Sequence, residues 1–266
     1  MFGLVAMLVG WGCSPHHQST EAIETERFSV HIEAHFGELV DPESQQSLQA
    51  ALDADLSLNL TLTPARTFRD GSLGRILSVE SAALRVSEGG TVRTLPLTLA
   101  GRTAELRTFP SGEILDISWG HRLAGLGRYM DVFEVIFPAI SPAPPSLDEG
   151  KEGRRRIIWP FRDHGALRWD NAVEATWTNQ GVQPVGEEQA WQLQYEGPWV
   201  LKGQTRNTRT PLVYGAEGKG SGTVKVEVSS GRLLSHDFEW SRTAVVSGAR
   251  ALQQTQAFVG TVERIR

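Results

Sequence analysis

A strict alternation of apolar and polar residues is the feature of this sequence that most constrains its fold. Between residues 28 and 36 every second residue is apolar, and Ser, His, Glu and His lie between them. Residues 56–62 repeat the pattern, with Leu alternating against Ser, Asn and Thr. A period of two places all apolar side chains on one face of an extended strand. Both segments are therefore predicted to be half-buried β-strands.

Further segments of similar length show strand composition and are separated by turn residues. These segments are 76–86, 92–99, 104–109, 113–119, 172–178, 189–195, 199–204, 223–228, 233–240 and a last one within 253–265. Glu88-Gly-Gly-Thr91 and Pro110-Ser-Gly112 supply hairpin turns between some of them. Short strands at this spacing predict an antiparallel, mainly-β architecture.

Two segments depart from the β pattern and are predicted to be short helices packed on the sheet. Residues 42–55 place Leu48, Ala51 and Leu52 on one side of a helix. Residues 122–137 carry apolar residues at helical spacing and end at Pro138. A strand over residues 129–137 is the alternative, because Val132, Phe133 and Val135 favour extended structure.

The middle of the chain divides the predicted β domain, residues 27–266, into two halves, 27–137 and 157–266. Residues 138–156 are rich in proline and charge, which predicts an exposed connection. The halves share a pattern of strand, Ser-Gly turn, strand and terminal Trp, at residues 106–119 and 226–240. This pattern indicates either an internal duplication or a common hairpin design used twice.

Cys13 is the single cysteine of the chain, and it follows a short apolar run with Gly12 directly before it. The run is too short to cross a bilayer but fits the apolar part of a secretory signal. Cys13 thus resembles the lipidation cysteine of a bacterial lipoprotein, with residues 1–13 as signal and 14–26 as tether. The alternative is a buried N-terminal strand with an incidental thiol. In the lipoproteins that this segment resembles, Ser14 rather than Asp after the cysteine favours the outer membrane.

The whole layout resembles the LolA/LolB and LppX-like group of lipoproteins and related uncharacterised bacterial lipoproteins. The points of resemblance are Cys13, the Ser-Gly hairpins ending in Trp119 and Trp240, the Pro-rich middle, and Gly218-Lys-Gly-Ser-Gly222 before a Val-rich strand. The resemblance implies a strongly curved antiparallel half-barrel that wraps over helices and can enclose an acyl chain. It carries over no functional residue.

Charge and composition narrow the classes of partner. The net charge is −5 with the two signs interspersed, and only Arg154-Arg155-Arg156 forms a basic run, which argues against nucleic acid. The carboxylates show no spacing typical of an acid/base pair, and no serine, histidine and aspartate order indicates a triad. No cofactor is implied. The expected partners are the membrane, through the lipid anchor, and a lipid or an envelope protein.

Two polar motifs invite a site interpretation that their geometry disfavours. Gly218-Lys-Gly-Ser-Gly222 lacks the P-loop spacing and precedes a strand, so it is predicted to be a flexible turn. His31, Glu33 and His35 share a strand face, but alternate residues on one face put the two histidines about 13 Å apart. One metal ion cannot bind both, so a solvated polar face is predicted and no metal site.

The remaining site candidates are aromatic. His236 shares a strand face with Phe238 and Trp240, which favours a hydrogen-bonded core histidine over a pocket or catalytic one. Trp191 and Tyr195 also share a face, which most simply indicates core packing. These five residues are the predicted ligand-facing set, with no catalytic residue among them.

The sequence therefore predicts a non-catalytic envelope lipoprotein with a binding or scaffolding role. Its ligand would be apolar and held in the concavity of the sheet, or its partner would be another envelope protein on the rim. One alternative is a carbohydrate-binding β module that uses exposed Trp. A second alternative is an envelope enzyme with His236 in a cleft next to a carboxylate.

Overall fold

The computed structural model describes residues 24–95, 99–119, 130–159, 167–205, 212–248 and 250–265. These residues form fourteen strands and one helix. In chain order they are β1 (Glu26–Phe36), β2 (Leu39–Asp41), β3 (Gln46–Gln49), β4 (Leu52–Thr67), β5 (Leu73–Glu88), β6 (Thr91–Leu95), β7 (Thr103–Thr108), β8 (Ile114–Trp119), α1 (Met130–Ile140), β9 (Glu152–Ile158), β10 (Leu167–Val185), β11 (Glu188–Thr205), β12 (Val213–Glu227), β13 (Leu233–Ser247) and β14 (Ala251–Ile265).

All strands belong to one antiparallel sheet. Its order is β8-β7-β5-β4-β1-β14-β13-β12-β11-β10-β9, while β6 pairs with β5, and β2 pairs with β14 and β3. The sheet curls into a nearly closed, barrel-like shape. The predicted mainly-β, curved antiparallel fold is thus confirmed. Because the first strand pairs with the last, the two halves of the sequence form one continuous sheet.

The alternation of β1 separates the inside of the sheet from its outside. Its even-numbered residues from Phe28 to Phe36 are buried, whereas the odd-numbered ones are exposed or half-buried. Val30 lies opposite Leu58 of β4 and Val262 of β14, so apolar side chains from neighbouring strands meet in one layer. Burial of this apolar face holds the strands in register, because a slip of one residue would turn every side chain outward.

Helix α1 packs on the concave side of the sheet against β1, β13 and β14. The predicted helix is confirmed from Met130 onward, and residues 122–129 lie outside the described residues. Pro138 is inside the helix rather than at its end, because the helix continues to Ile140. Val132, Phe133 and most other side chains of α1 are buried, so the helix is enclosed on nearly all sides.

The helix predicted over residues 42–55 is wrong, because this segment forms the β2–β3 hairpin and the start of β4. Val40 pairs with Gln253 of β14, and the carboxylate of Asp41 accepts the backbone N–H of Glu43 at 2.9 Å in the turn. Leu52 is buried on the same face as the later leucines of β4. Pairing with neighbouring strands therefore determines the extended structure of this segment, whose local apolar pattern fits a helix equally well.

The prediction of an exposed Pro-rich connection is correct only for its charged part, because residues 148–152 are exposed whereas residues 142 and 143 are buried. In the sheet order β8 and β9 lie at opposite ends, and residues 141–149 bridge these ends. The hydroxyl of Ser141 donates to the carbonyl of Gly112 beside β8, and Asn179 of β10 donates to the carbonyl of Leu147 at 2.7 Å. Ala143 is buried, and from residue 152 the chain is strand β9. The connection thus fills the seam of the curled sheet.

Candidate functional site

A cluster of aromatic side chains occupies the concave side of the sheet beside α1. Strand β13 contributes three of them, β11 contributes two, β10 contributes one, and one more is the residue directly after β9. This aromatic cluster consists of Trp159, Trp177, Tyr195, Trp199, His236, Phe238 and Trp240. All seven side chains are buried. The rings of Phe238 and Trp240 are stacked with centroids 4.1 Å apart, and those of Trp159 and Trp199 lie 4.6 Å apart. Such offset and edge contacts add to the energy of burial.

Gly220 and Gly222 on the inner face of β12 make room for these rings, and Gly218 makes room for the backbone of β13 at Ser241. Gly218, Gly220 and Gly222 were predicted to form a flexible turn, and this prediction is wrong because they lie in the middle of a strand. A Cβ at Gly220 would lie 2.7 Å from the Trp240 ring, and one at Gly222 would lie 2.6 Å from the Tyr195 hydroxyl. The glycines are therefore required by close packing, which is one of the uses of glycine inside strands.

A chain of hydrogen bonds runs through the aromatic cluster to α1. The indole N–H of Trp240 donates to the hydroxyl of Tyr195 at 3.0 Å, and this hydroxyl lies 2.9 Å from Nε2 of His236. Nδ1 of His236 lies 2.8 Å from the carbonyl oxygen of Ala139, near the end of α1. Because a carbonyl only accepts, Nδ1 carries the proton, Nε2 accepts from Tyr195, and each buried polar atom in this chain has a partner.

Burial shifts the pKa values of the two ionisable residues in this series of hydrogen bonds. Loss of hydration lowers the pKa of His236 to about 4, although its hydrogen bond to the Ala139 carbonyl favours the protonated form. Burial raises the pKa of Tyr195 well above its usual value, and the hydrogen bond from Trp240 opposes this effect. At neutral pH the side chains of Tyr195 and His236 are therefore both uncharged, which suits their apolar surroundings.

The structure brings together four of the five predicted ligand-facing residues. Tyr195, His236, Phe238 and Trp240 are in mutual contact within the core, and Trp191 packs against the same core in a partly buried position. The interpretation of His236 as a hydrogen-bonded core histidine is confirmed. Both of its ring nitrogens are bonded to neutral groups, so the histidine–carboxylate pair that the enzyme alternative requires is not formed at His236.

Of the five tryptophans whose side chains are described, four are buried and Trp191 is partly buried. Trp159, Trp177, Trp199 and Trp240 are each at most 4% exposed. A flat platform for stacking on sugars needs accessible rings. The carbohydrate-binding alternative therefore finds no surface among these four side chains.

The polar face of β1 is solvated and held by contacts with β4. His35 Nδ1 lies 2.6 Å from a carboxylate oxygen of Asp53, and His31 Nδ1 lies 3.3 Å from the hydroxyl of Ser57. Both histidines are on the outside of the sheet, away from the aromatic cluster. Within the part of the chain that the structure describes, no three His, Cys, Asp or Glu side chains are placed to hold one metal ion.

Arg242 is an interior residue that sequence reasoning missed. It lies two residues beyond Trp240 on β13 and is only 8% exposed. Its guanidinium lies over the Trp199 ring, 4.4 Å from the centroid, and its Nε donates to Gln256 at 2.6 Å. The signal was present, because two residues along a strand return to the same face.

The chain matches no family model and no curated protein. Solved structures with some likeness include OccAB4 of Acinetobacter baumannii, at 6% identity over 93% of this chain and 100% of that chain. A triple mutant of the Rhodopseudomonas blastica porin is 9% identical over 90% of this chain and 100% of that chain. Both have a TM-score of 0.19, which is too low to indicate a shared fold or function.

The membrane-related predictions rest on the N-terminal segment. Cys13, the signal and residues 14–23 of the tether lie outside the described residues. Among the described residues, no helix has the length and apolar character needed to cross a membrane. Strand β1 begins at Glu26, next to the predicted start of the β domain at residue 27.

Proposed function

We propose that this protein is a non-catalytic binding lipoprotein of the bacterial cell envelope that holds an apolar ligand on the concave face of its sheet. The observation that carries the proposal is the position of α1. This helix is buried against the concave face through side chains such as Phe133, Val135 and Ile136, where an apolar ligand would lie. A surface that buries a nearly all-apolar helix offers the same contacts to an acyl chain.

Apolar burial does not oppose an exchange between part of α1 and a ligand. Apolar burial contributes about 25 cal/mol per Å² and has no directional requirement. A ligand that covers the area released by part of α1 therefore leaves the total apolar burial nearly unchanged. The hydrogen bond between His236 and the carbonyl of Ala139, near the C-terminal end of α1, orients the helix on the sheet.

The proposed membrane anchor would join the described part of the chain at the end of the sheet where β1 begins. Glu24 forms an ion pair with Arg232, at the start of β13, with 2.7 Å between Oε2 and Nη1. A lipid on Cys13 would therefore hold this end near the membrane surface, and stable attachment would need a second signal besides a single acyl chain. The far end of the concave face, near Arg242, would then point away from the anchor.

Native mass spectrometry of the full chain, expressed in a bacterial host and released in mild detergent, tests the proposal. We expect a bound mass that is lost on denaturation and matches a lipid. Phe133→Ala, which weakens the packing of α1, should raise the bound fraction. Val259→Ala, at a half-exposed residue on the outside of β14, is the matched control and should leave it unchanged. An unliganded mass for all three proteins would refute the proposal.

A further inference from the structure

In the described part of the chain, the two end strands of the sheet, β8 and β9, are not paired with each other. Residues 141–149, which we call the strap, cover the seam between them. Three of the first five residues of the strap are proline and lack the N–H group that a strand ladder needs. Opening along this seam therefore breaks no strand ladder, whereas opening between any two paired strands does.

The first residues of the strap are held at the β7–β8 turn by a small set of contacts. The hydroxyl of Ser141 donates to the carbonyl of Gly112, and a Cβ placed on Gly112 would lie 3.7 Å from the Cβ of Ala143. Across the seam, Glu113 forms an ion pair with Arg155 of β9, with 3.4 Å between Oε2 and Nη2. Both charged side chains are partly exposed, so their attraction is modest.

The last residues of the strap are fixed more firmly, to β9 and β10. The side chain of Asn179 donates to the carbonyl of Leu147 at 2.7 Å, and its backbone carbonyl accepts from the N–H of Gly150 at 2.8 Å. The side chain of Leu147 lies directly on β9, because a Cβ at Gly153 would be 2.7 Å from it. The strap can therefore pivot about this end while residues 141–143 separate from the turn.

The closed position of the strap strains its backbone at Ala143. The φ angle of this residue is 49°, in the left-handed region that favours glycine. Pro144 follows, and a residue before proline prefers an extended backbone. Ala143 is buried beside the β7–β8 turn, so packing holds it in this conformation. Separation of the strap from the turn relieves the strain, which lowers the free energy needed for opening.

The strap continues directly from α1 and lies at the end of the sheet where β1 begins. The N–H of Ser141 donates to the carbonyl of Phe137, so movement of the strap also moves the helix. Thr108, at the β7–β8 turn, pairs with Leu73, which lies opposite Thr67 at the end of β4. Strand β4 runs antiparallel to β1 and ends beyond the start of β1. The strap is therefore at the same end as the proposed membrane anchor.

We propose that the strap is a latch for entry of the apolar ligand. Separation of residues 141–143 from the β7–β8 turn opens the seam at the anchored end, draws α1 away from the concave face and admits a lipid acyl chain. Opening at this end shortens the path of the acyl chain through water, where its exposure is unfavourable. This inference rests on the proposed function and adds the route by which the ligand reaches the same concave face.

The first test closes the latch with a disulfide in the full chain. In the double variant Gly112→Cys/Ala143→Cys the two Cβ atoms are 3.7 Å apart, which fits a disulfide, and peptide mass mapping confirms the bridge. The probe is diphenylhexatriene, a neutral apolar dye that fluoresces in apolar surroundings, and its uptake is followed after rapid mixing. The oxidised variant should take up the dye at least about 10-fold more slowly than the same variant after reduction.

The second test loosens the latch and does not depend on the disulfide variant. Arg155→Gln removes the ion pair across the seam and should speed dye uptake by about 2- to 5-fold. Arg156→Gln is the matched control, because this neighbouring arginine pairs with Asp170 and Glu174 of β10 instead of the β8 side. Its uptake rate should equal that of the unmodified chain. Circular dichroism shows that each variant is folded.

The outcomes separate this inference from the proposed function. Slow uptake by the oxidised variant that becomes fast on reduction supports the latch. Uptake by the unmodified chain at a rate that neither the disulfide nor Arg155→Gln changes would overturn the latch and leave the apolar-ligand proposal in place. If the unmodified chain took up no dye at all, the proposed function itself would fail.

Discussion

The buried hydrogen-bond chain predicts that the stability of the protein depends on pH through His236. The folded protein holds the pKa of this histidine at about 4, against 6.5 for an unperturbed histidine. As the pH falls below 6.5, the unfolded chain takes up a proton that the folded protein does not. The stabilisation is therefore complete above pH 6.5 and is lost progressively between 6.5 and 4.

The magnitude follows from the same two values. A difference of one pKa unit corresponds to about 1.36 kcal/mol, so the full effect is about 3 kcal/mol. Linkage gives a loss of about 2 kcal/mol between pH 8 and pH 5, where most carboxylates are still ionised. This is a large share of the stability of an ordinary domain, which is about 5–15 kcal/mol.

The measurement compares unfolding by guanidinium chloride at pH 8, 7, 6 and 5 for the unmodified chain and His236→Gln, followed by tryptophan fluorescence. His236→Gln is expected to be less stable at pH 8 because Gln cannot reproduce both hydrogen bonds, but to lack the loss of about 2 kcal/mol towards pH 5. His35→Gln removes an exposed histidine and should keep that loss. Parallel curves for the unmodified chain and His236→Gln would refute the reasoning.

Three further predictions concern packing, hydrogen bonding and the anchor. Tyr195→Phe removes the hydroxyl that joins a buried indole N–H to a buried imidazole, and should lower the unfolding free energy by about 2–4 kcal/mol; a loss within error of zero would contradict the hydrogen-bond chain. Gly220→Ala places a Cβ 2.7 Å from the Trp240 ring and should destabilise by about 1–3 kcal/mol in denaturation, whereas Gly215→Ala, with open space around it, should not. Cys13→Ser should move the protein from the membrane to the soluble fraction on cell fractionation, and an unchanged distribution would argue against lipidation.

The strands and turns that sequence reasoning predicted correctly are those with a strong local signal. The alternation in β1 and β4 marks both the extended backbone and the buried face, because side chains of any strand alternate between its two sides. Gly89 and Gly90 have positive φ in the β5–β6 turn, as a hairpin turn of this kind requires. The buried face of β13, with His236, Phe238 and Trp240, follows from the same alternation.

The predictions that failed concern residues whose meaning depends on a distant partner. Gly218–Gly222 suggested a turn because glycine is common in turns. Here Gly220 and Gly222 are needed for the side chains of Trp240 and Tyr195 on neighbouring strands, and Gly218 is needed for the backbone of β13. Residues 42–55 suggested a helix because their apolar spacing fits one, yet pairing of β3 with β2, and of β4 with β1 and β5, makes part of them extended. A single sequence shows which side chains a segment carries but not what lies opposite them.

By itself, then, the sequence determined that the chain is built of antiparallel strands with one apolar face, because that pattern is local and repeats every two residues. Only the tertiary structure decided that β1 pairs with β14 and so joins the two halves in one sheet, that residues 141–149 fill the seam, and that α1 and Arg242 share the concave side with the aromatic cluster. These contacts join residues far apart in the chain. Their formation depends on shape and burial across the whole sheet, which no local pattern encodes.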